Sequence, residues 1–195
     1  MKRYISFLFL LLLAACGNKD QKAQSANTPD VALTKSANSA AFNQSFSKIL
    51  VDYYSMKDHF VAESDSASLN QSAKTLKISI DSLPLAELKA DSMLVSTAKS
   101  FTEGISAELI GLIGEPTIDA KRRSFQMVSD QLYDLIRTVQ YDQAVIFHPY
   151  CPMAFNDQGA YWLSNSREIK NPYVPKKMIT CGDIKDSIDL RKRGE

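Results

Sequence analysis

Phe125-Gln126-Met127-Val128-Ser129-Asp130-Gln131-Leu132-Tyr133-Asp134-Leu135-Ile136-Arg137-Thr138-Val139 is the stretch that decides the fold. Its apolar residues Phe125, Val128, Leu132, Leu135, Ile136 and Val139 recur at steps of three and four, which lines them along one face of a helix. A half-buried strand would alternate in steps of two. Ile118 extends the stripe upstream. Before it, Leu94, Ala98, Phe101, Ile105, Leu109 and Leu112 form another such face, punctuated by Gly114 and Pro116. Leu69, Ala73, Leu76, Ile80 and Leu83 form a third, with Asp65 placed to cap its start and Pro84 to stop it. Phe42, Phe46, Ile49, Leu50, Tyr53, Phe60 and Val61 form the first in chain order. Four amphipathic helices on short connections predict an all-α fold, an antiparallel four-helix bundle over residues 41–141. The aromatic residues of the stripes read as core, and His59 as a surface or half-buried residue of the first helix.

Outward from the bundle toward the N-terminus, the chain changes twice. Residues 16–40 are rich in Ser, Ala, Asn, Lys and Gln, without periodicity, and read as a flexible tether. Before them, Lys2 and Arg3 precede an apolar run from Ile5 to Leu13 broken only by Ser6. The run falls short of the ~20 residues that span a bilayer and has the length of a signal-peptide core. Leu13-Ala14-Ala15-Cys16 follows it and resembles the lipobox of bacterial lipoproteins. The expectation is a signal peptide over 1–15, a lipid on Cys16, and a periplasmic protein held by that lipid. Gly17 in place of Asp after the Cys favours the outer membrane, by resemblance to lipoprotein sorting signals.

Composition excludes several functions. The full chain has 23 basic and 22 acidic residues; loss of Lys2 and Arg3 leaves 21 against 22. A near-neutral chain carries no electrostatic footprint for nucleic acid. Seven Gly are too few for a glycine-rich phosphate cradle, and the P-loop, dinucleotide, GxSxG and HExxH motifs are absent. The reading is therefore non-enzymatic. Cys151 as a nucleophile activated by His148 would also need an orienting third group and a pocket.

Toward the C-terminus, residues 142–195 are expected as a loop-rich tail packed on the bundle through Trp162, with a short apolar run, residues 144–147, that fits a strand. The tail holds His148-Pro149-Tyr150-Cys151-Pro152-Met153 and Met178-Ile179-Thr180-Cys181-Gly182. Each Cys lies near a Met, and thiolate with thioether is a soft donor set that suits Cu(I). Zn²⁺ would use only the two Cys and His148, since Met is a poor zinc ligand. The candidate metal set is His148, Cys151, Met153, Met178 and Cys181, with copper as Cu(I) the expected ion. A turn would bring His148 onto the same site as Cys151. The rival reading joins Cys151 to Cys181 as a disulfide staple, favoured by an oxidising compartment. The residues alone leave the two open, and oxidation can alternate them.

These tail motifs resemble a family of periplasmic domains found alone as lipoproteins or fused to the adaptor subunits of Cus-type copper/silver efflux pumps. Its members carry Cys-Pro-Met-Ala, Gly-Ala-x-Trp-Leu-Ser, Ile-x-Asn-Pro-Tyr and Met-x-x-Cys-Gly in this order, matched here at residues 151–154, 159–164, 169–173 and 178–182. Tyr54-Ser55-Met56-Lys57-Asp58, Val61 and Asp65 are similar to the family's first helix and turn, so the resemblance covers residues 42–185. Val174 and Pro175 depart from it, standing where members have an aromatic and a Gly. Cys-Pro-Met is also similar to the Tyr-x-Cys-Pro-Met-His motif of small heavy-metal-binding domains, with Ala154 where that motif has His. The resemblance implies heavy-metal handling, copper above all, as an accessory or chaperone to efflux or homeostasis. It also implies an efflux-pump adaptor as partner. The alternative is a metal-free interaction module with a disulfide-stapled tail.

Overall fold

The computed structural model describes residues 38–191, all within one compact unit, Leu33–Glu195. The expected signal peptide over 1–15, the lipidated Cys16 and residues 16–37 of the expected tether lie outside the described residues. Four long helices come first: α1 Ala40–Val61, α2 Ser66–Asp81, α3 Ser92–Gly114 and α4 Ile118–Val139. Each begins on a side chain that accepts a hydrogen bond from a backbone N–H of its first turn. Ser39 caps α1 and Asp91 caps α3, Thr117 caps α4, and Asp65 caps α2 as the sequence predicts. At the far end of α4, Gln140 takes the left-handed conformation that ends helices.

Consecutive helices pack on one another, α1 on α2, α2 on α3 and α3 on α4. The stripes supply the packing surface. Phe42, Phe46, Ile49, Tyr53 and Phe60 of α1 are fully buried, as are Phe125, Val128, Leu132, Leu135 and Ile136 of α4. Ring contacts join the two helices at the centre, Tyr53 stacked on Phe125 at 5.2 Å and Phe60 tilted against Phe125 at 4.9 Å. One buried cation belongs to the same architecture. Lys121, 1 % exposed, donates to Asn70 Oδ1 at 2.8 Å and to the carbonyls of Leu112 and Ile113 at 2.7 and 3.2 Å. It thereby supports the last carbonyls of α3, of which Leu112 otherwise accepts only a long bond, 3.3 Å, from the Glu115 N–H.

The fold is not all-α. Strands β1 Val145–Cys151, β2 Ala160–Tyr161 and β3 Asp183–Asp189 form an antiparallel sheet in the order β2-β1-β3. The apolar run ending at Phe147 begins β1, as expected, but β1 continues through Pro149 to Cys151 and the tail is less loop-like than its composition suggests. Pro149 sits where the β1–β3 register shifts, the kind of irregularity at which an interior strand tolerates proline. In β3, Asp183-Ile184-Lys185-Asp186-Ser187-Ile188-Asp189 has its two apolar residues four apart, so pairing with β1, not its own pattern, makes it a strand. Between β1 and β2 lies one turn, α5 Ala154–Asp157, with left-handed backbone at Phe155 and Asn156. The short helix α6 Pro175–Met178 precedes β3.

The sheet and α4 share a core. Trp162 and Leu163, just past β2, are 1 % and 0 % exposed. The Tyr53 hydroxyl shares a hydrogen bond with Ser129 Oγ at 2.7 Å and accepts one from the Leu163 N–H at 3.0 Å. A single buried phenol thus links α1, α4 and the strand end. No helix among the described residues is long and apolar enough to cross a membrane.

Candidate functional site

Asn171, fully buried, organises the segment that carries the second Cys. Its side-chain N–H donates to the Cys181 carbonyl at 2.8 Å, and its backbone N–H donates to the Ile179 carbonyl at 2.8 Å. Its side-chain oxygen accepts from the Tyr173 and Val174 N–H groups at 2.7 and 3.1 Å. A loop with so few regular hydrogen bonds needs such a centre, because buried backbone groups must be paired. Arg122 fixes the same loop from α4, its Nε donating to the Pro172 carbonyl at 3.0 Å. The Tyr173 hydroxyl donates to the Tyr161 carbonyl on β2. Gly182, at φ +137°, lets the chain pass close to β1: a Cβ there would stand 2.8 Å from the Trp162 ring and 3.0 Å from the Tyr150 carbonyl.

This framework carries Cys181 onto the end of β1. Cys151 and Cys181 form a disulfide across a Cα–Cα distance of 5.6 Å. Cys151 is fully buried and Cys181 half-buried. In this bonded form neither sulfur is a thiolate. The soft donors that remain are thioethers. Met153 is 48 % exposed, Met178 is half-buried, and both line one cleft of about 620 Å³. That cleft runs between the start of α4, with Arg122, Arg123 and Asp119, and the tail, with Phe155, Tyr173 and Lys177.

His148 is not brought to this place. It lies in the extended strand β1, three residues from Cys151, so the pleat turns the two side chains to opposite faces. Its ring stacks between Tyr133 of α4 at 4.0 Å and Tyr161 of β2 at 4.4 Å. Its Nε2 is buried and has no hydrogen-bond partner. Burial pushes the imidazole pKa from 6.5 down to about 4; Asp186 acts the other way, and Arg137 adds to the depression. The other histidine, His59, pairs its Nδ1 with Ser64 Oγ at 3.0 Å. Among the described residues no three His, Cys, Asp or Glu side chains converge in a metal-holding group. The donor chemistry therefore fits a soft ion only in part: Cys151 and Cys181 once reduced, with Met153 and Met178 near them in sequence and lining the cleft, and without His148.

Arg122, Arg123 and Lys177 escape the sequence reading, and Asn171 enters it only within the Ile-x-Asn-Pro-Tyr motif, not as the centre of the loop's hydrogen bonds. Arg122 leaves a trace, for it falls three residues before Phe125 and four after Ile118, in phase with the apolar face of α4. A charged residue in that phase is either exposed at a helix end or buried with partners, and the spacing alone does not separate the two.

Residues 49–144 match the model of a family described as a protein of unknown function, DUF3347. The match takes in most of α1 and all of α2, α3 and α4, and stops just before β1. It thus leaves both Cys and the cleft-lining Met residues outside. No curated protein and no solved structure matches the chain.

Proposed function

We propose that the chain is an exported lipoprotein, anchored through Cys16 in the outer membrane and facing the periplasm, whose C-terminal segment binds a soft cation. Cu(I) is the preferred ion, and the role is accessory or chaperone-like in metal efflux or homeostasis. One observation supports this above all: the fold brings Cys151 onto Cys181 from thirty residues away, while Met153 and Met178, two and three residues from them in sequence, line a common cleft. The resemblance of residues 151–182 to domains fused to Cus-type adaptor subunits supplies the kind of partner. We read the four helices as an antiparallel bundle whose task is to carry this segment.

The disulfide defines the resting state in this reading. Two electrons and two protons, delivered by a dithiol donor, convert it to two thiols. Each thiol must then lose its proton to become a ligand, so affinity falls with acidity. Cys151 and Cys181 would be the charged ligands, and Met153 or Met178 neutral ones that complete the shell. A second reading is favoured by the disulfide itself: an interaction module that binds no metal, its tail stapled permanently.

Anaerobic competition of reduced protein against a chromogenic Cu(I) chelator separates them. Wild type is expected to retain copper and the Cys151→Ser/Cys181→Ser variant to release it, with Met153→Leu or Met178→Leu weakening retention far less. Equal retention by wild type and the double Cys variant, or none by either, eliminates the thiolate site and leaves the stapled module.

A further inference from the structure

The cleft between α4 and the tail has a chemistry that soft-metal binding does not use. Four cations and three carboxylates line it, but they are not equally committed. Arg122 is bound to Asp119 at 2.9 Å and lies 3.9 Å from Glu63. Lys176 is 3.3 Å from Glu63. Those two cations and two carboxylates offset one another. Arg123 and Lys177 make no ion pair among the described residues, and they come from opposite walls, the first turns of α4 and the helix α6.

Arg123 is held in a usable pose. Its guanidinium lies over the Phe155 ring at 4.7 Å, and its one side-chain hydrogen bond among the described residues is a long one, 3.4 Å to Gln158 Oε1. Stacking occupies the face of a guanidinium and leaves its edge N–H groups free, the edge that binds carboxylates in pairs. Phe155 reaches this position from a left-handed backbone, φ 54°, which is uncommon for a bulky residue. Beside the two cations lie the apolar surfaces of Phe155, Met153 and Met178, and the volume of about 620 Å³ falls within the range of small-ligand sites.

We propose that this cleft binds a carboxylate carried on an apolar body, with Arg123 and Lys177 gripping the carboxylate and Phe155, Met153 and Met178 taking the apolar part. A fatty acid and a peptide C-terminus both present this chemistry. Asp157, the remaining carboxylate of the lining, has no ion-pair partner among the described residues and opposes an anion at the rim.

Titration calorimetry on the purified full chain tests the site with four probes: octanoate, octanol, a hydrophobic tripeptide with a free C-terminus, and the same tripeptide amidated. Octanoate or the free-acid peptide is expected to bind, and the octanol and amide counterparts to bind at least about tenfold more weakly. Binding of octanoate alone assigns a fatty-acid type of ligand; binding of the free-acid peptide alone assigns a chain terminus. Arg123→Gln should weaken the bound acid about tenfold or more, and Asp157→Asn should strengthen it. Equal binding of acid and neutral probes, binding of none, or unchanged affinity in both Arg123→Gln and Lys177→Gln would overturn the proposal.

Discussion

At the scale of single residues, His148 makes the sharpest statement about pH. Its folded pKa of about 4 lies below the unfolded value of 6.5, so the native state keeps it neutral while the unfolded chain takes a proton first. The stability it contributes is complete above pH 6.5 and is lost as pH falls toward 4, by roughly 3 kcal/mol. Asp130 acts in the opposite sense over the same range. Burial, then Asp134, raises its pKa from 3.8 to about 6, so its contribution is present below 3.8 and lost as pH rises through 6. His148→Phe keeps a ring between Tyr133 and Tyr161 and leaves Asp130 untouched, so the difference between variant and wild type isolates the imidazole. Urea unfolding should show wild type losing roughly 3 kcal/mol relative to the variant between pH 7 and pH 4. Parallel stability profiles would contradict the burial of a neutral imidazole. Sequence proximity suggested that His148 and Cys151 share a site, since three residues span a turn as readily as a strand. The backbone conformation decides between those, and Pro149 between them argued against a regular strand while β1 formed regardless.

At the scale of elements, the helices were legible and the third strand was not, for the same reason. A stripe at steps of three and four over five or more turns admits one secondary structure, and its residues in α4 are buried as that pattern requires. Asp65 illustrates how local chemistry adds a boundary: a short acidic side chain before a stripe caps it, and its oxygen does accept from the Ser68 N–H at 2.8 Å. In β3 only Ile188 is buried among exposed or half-buried neighbours, so seven polar-rich residues look like loop until a partner strand is present. Two substitutions test the helical layer by urea unfolding. Leu132→Ala, at 0 % exposure, is expected to cost about 2–5 kcal/mol through lost burial and a cavity. Lys121→Met keeps the aliphatic stem but uncaps the carbonyls of Leu112 and Ile113, and should cost about 1–3 kcal/mol. A change under about 0.5 kcal/mol in either would remove that residue from the account of the core.

At the scale of the whole molecule, the disulfide and the bundle answer to different forces, and reduction should separate them. The helices are held by their own apolar stripes and caps, and Cys151 and Cys181 join the same core only from the tail side. The Cys pair instead closes a loop of thirty residues that contains β2, α6 and Trp162, restricting the unfolded chain by about 3–4 kcal/mol in the chain-entropy picture. Trp162 is the one Trp of the chain, and it packs on Tyr173 at 6.0 Å and closes over Gly182 next to Cys181. Its emission therefore reports on the stapled region and its seat on the bundle. Under a dithiol, the far-UV helical signal at 25 °C should persist, while Trp162 emission changes and the urea midpoint falls by an amount equivalent to about 3–4 kcal/mol. The Cys151→Ser/Cys181→Ser variant should already show the reduced behaviour and stay indifferent to the dithiol. Loss of the helical signal along with the emission change would mean that the staple holds the whole domain, leaving no folded reduced protein to present thiolates and favouring the metal-free module. Persistence of the helices with a loosened tail leaves a folded dithiol, the state in which the copper competition is informative.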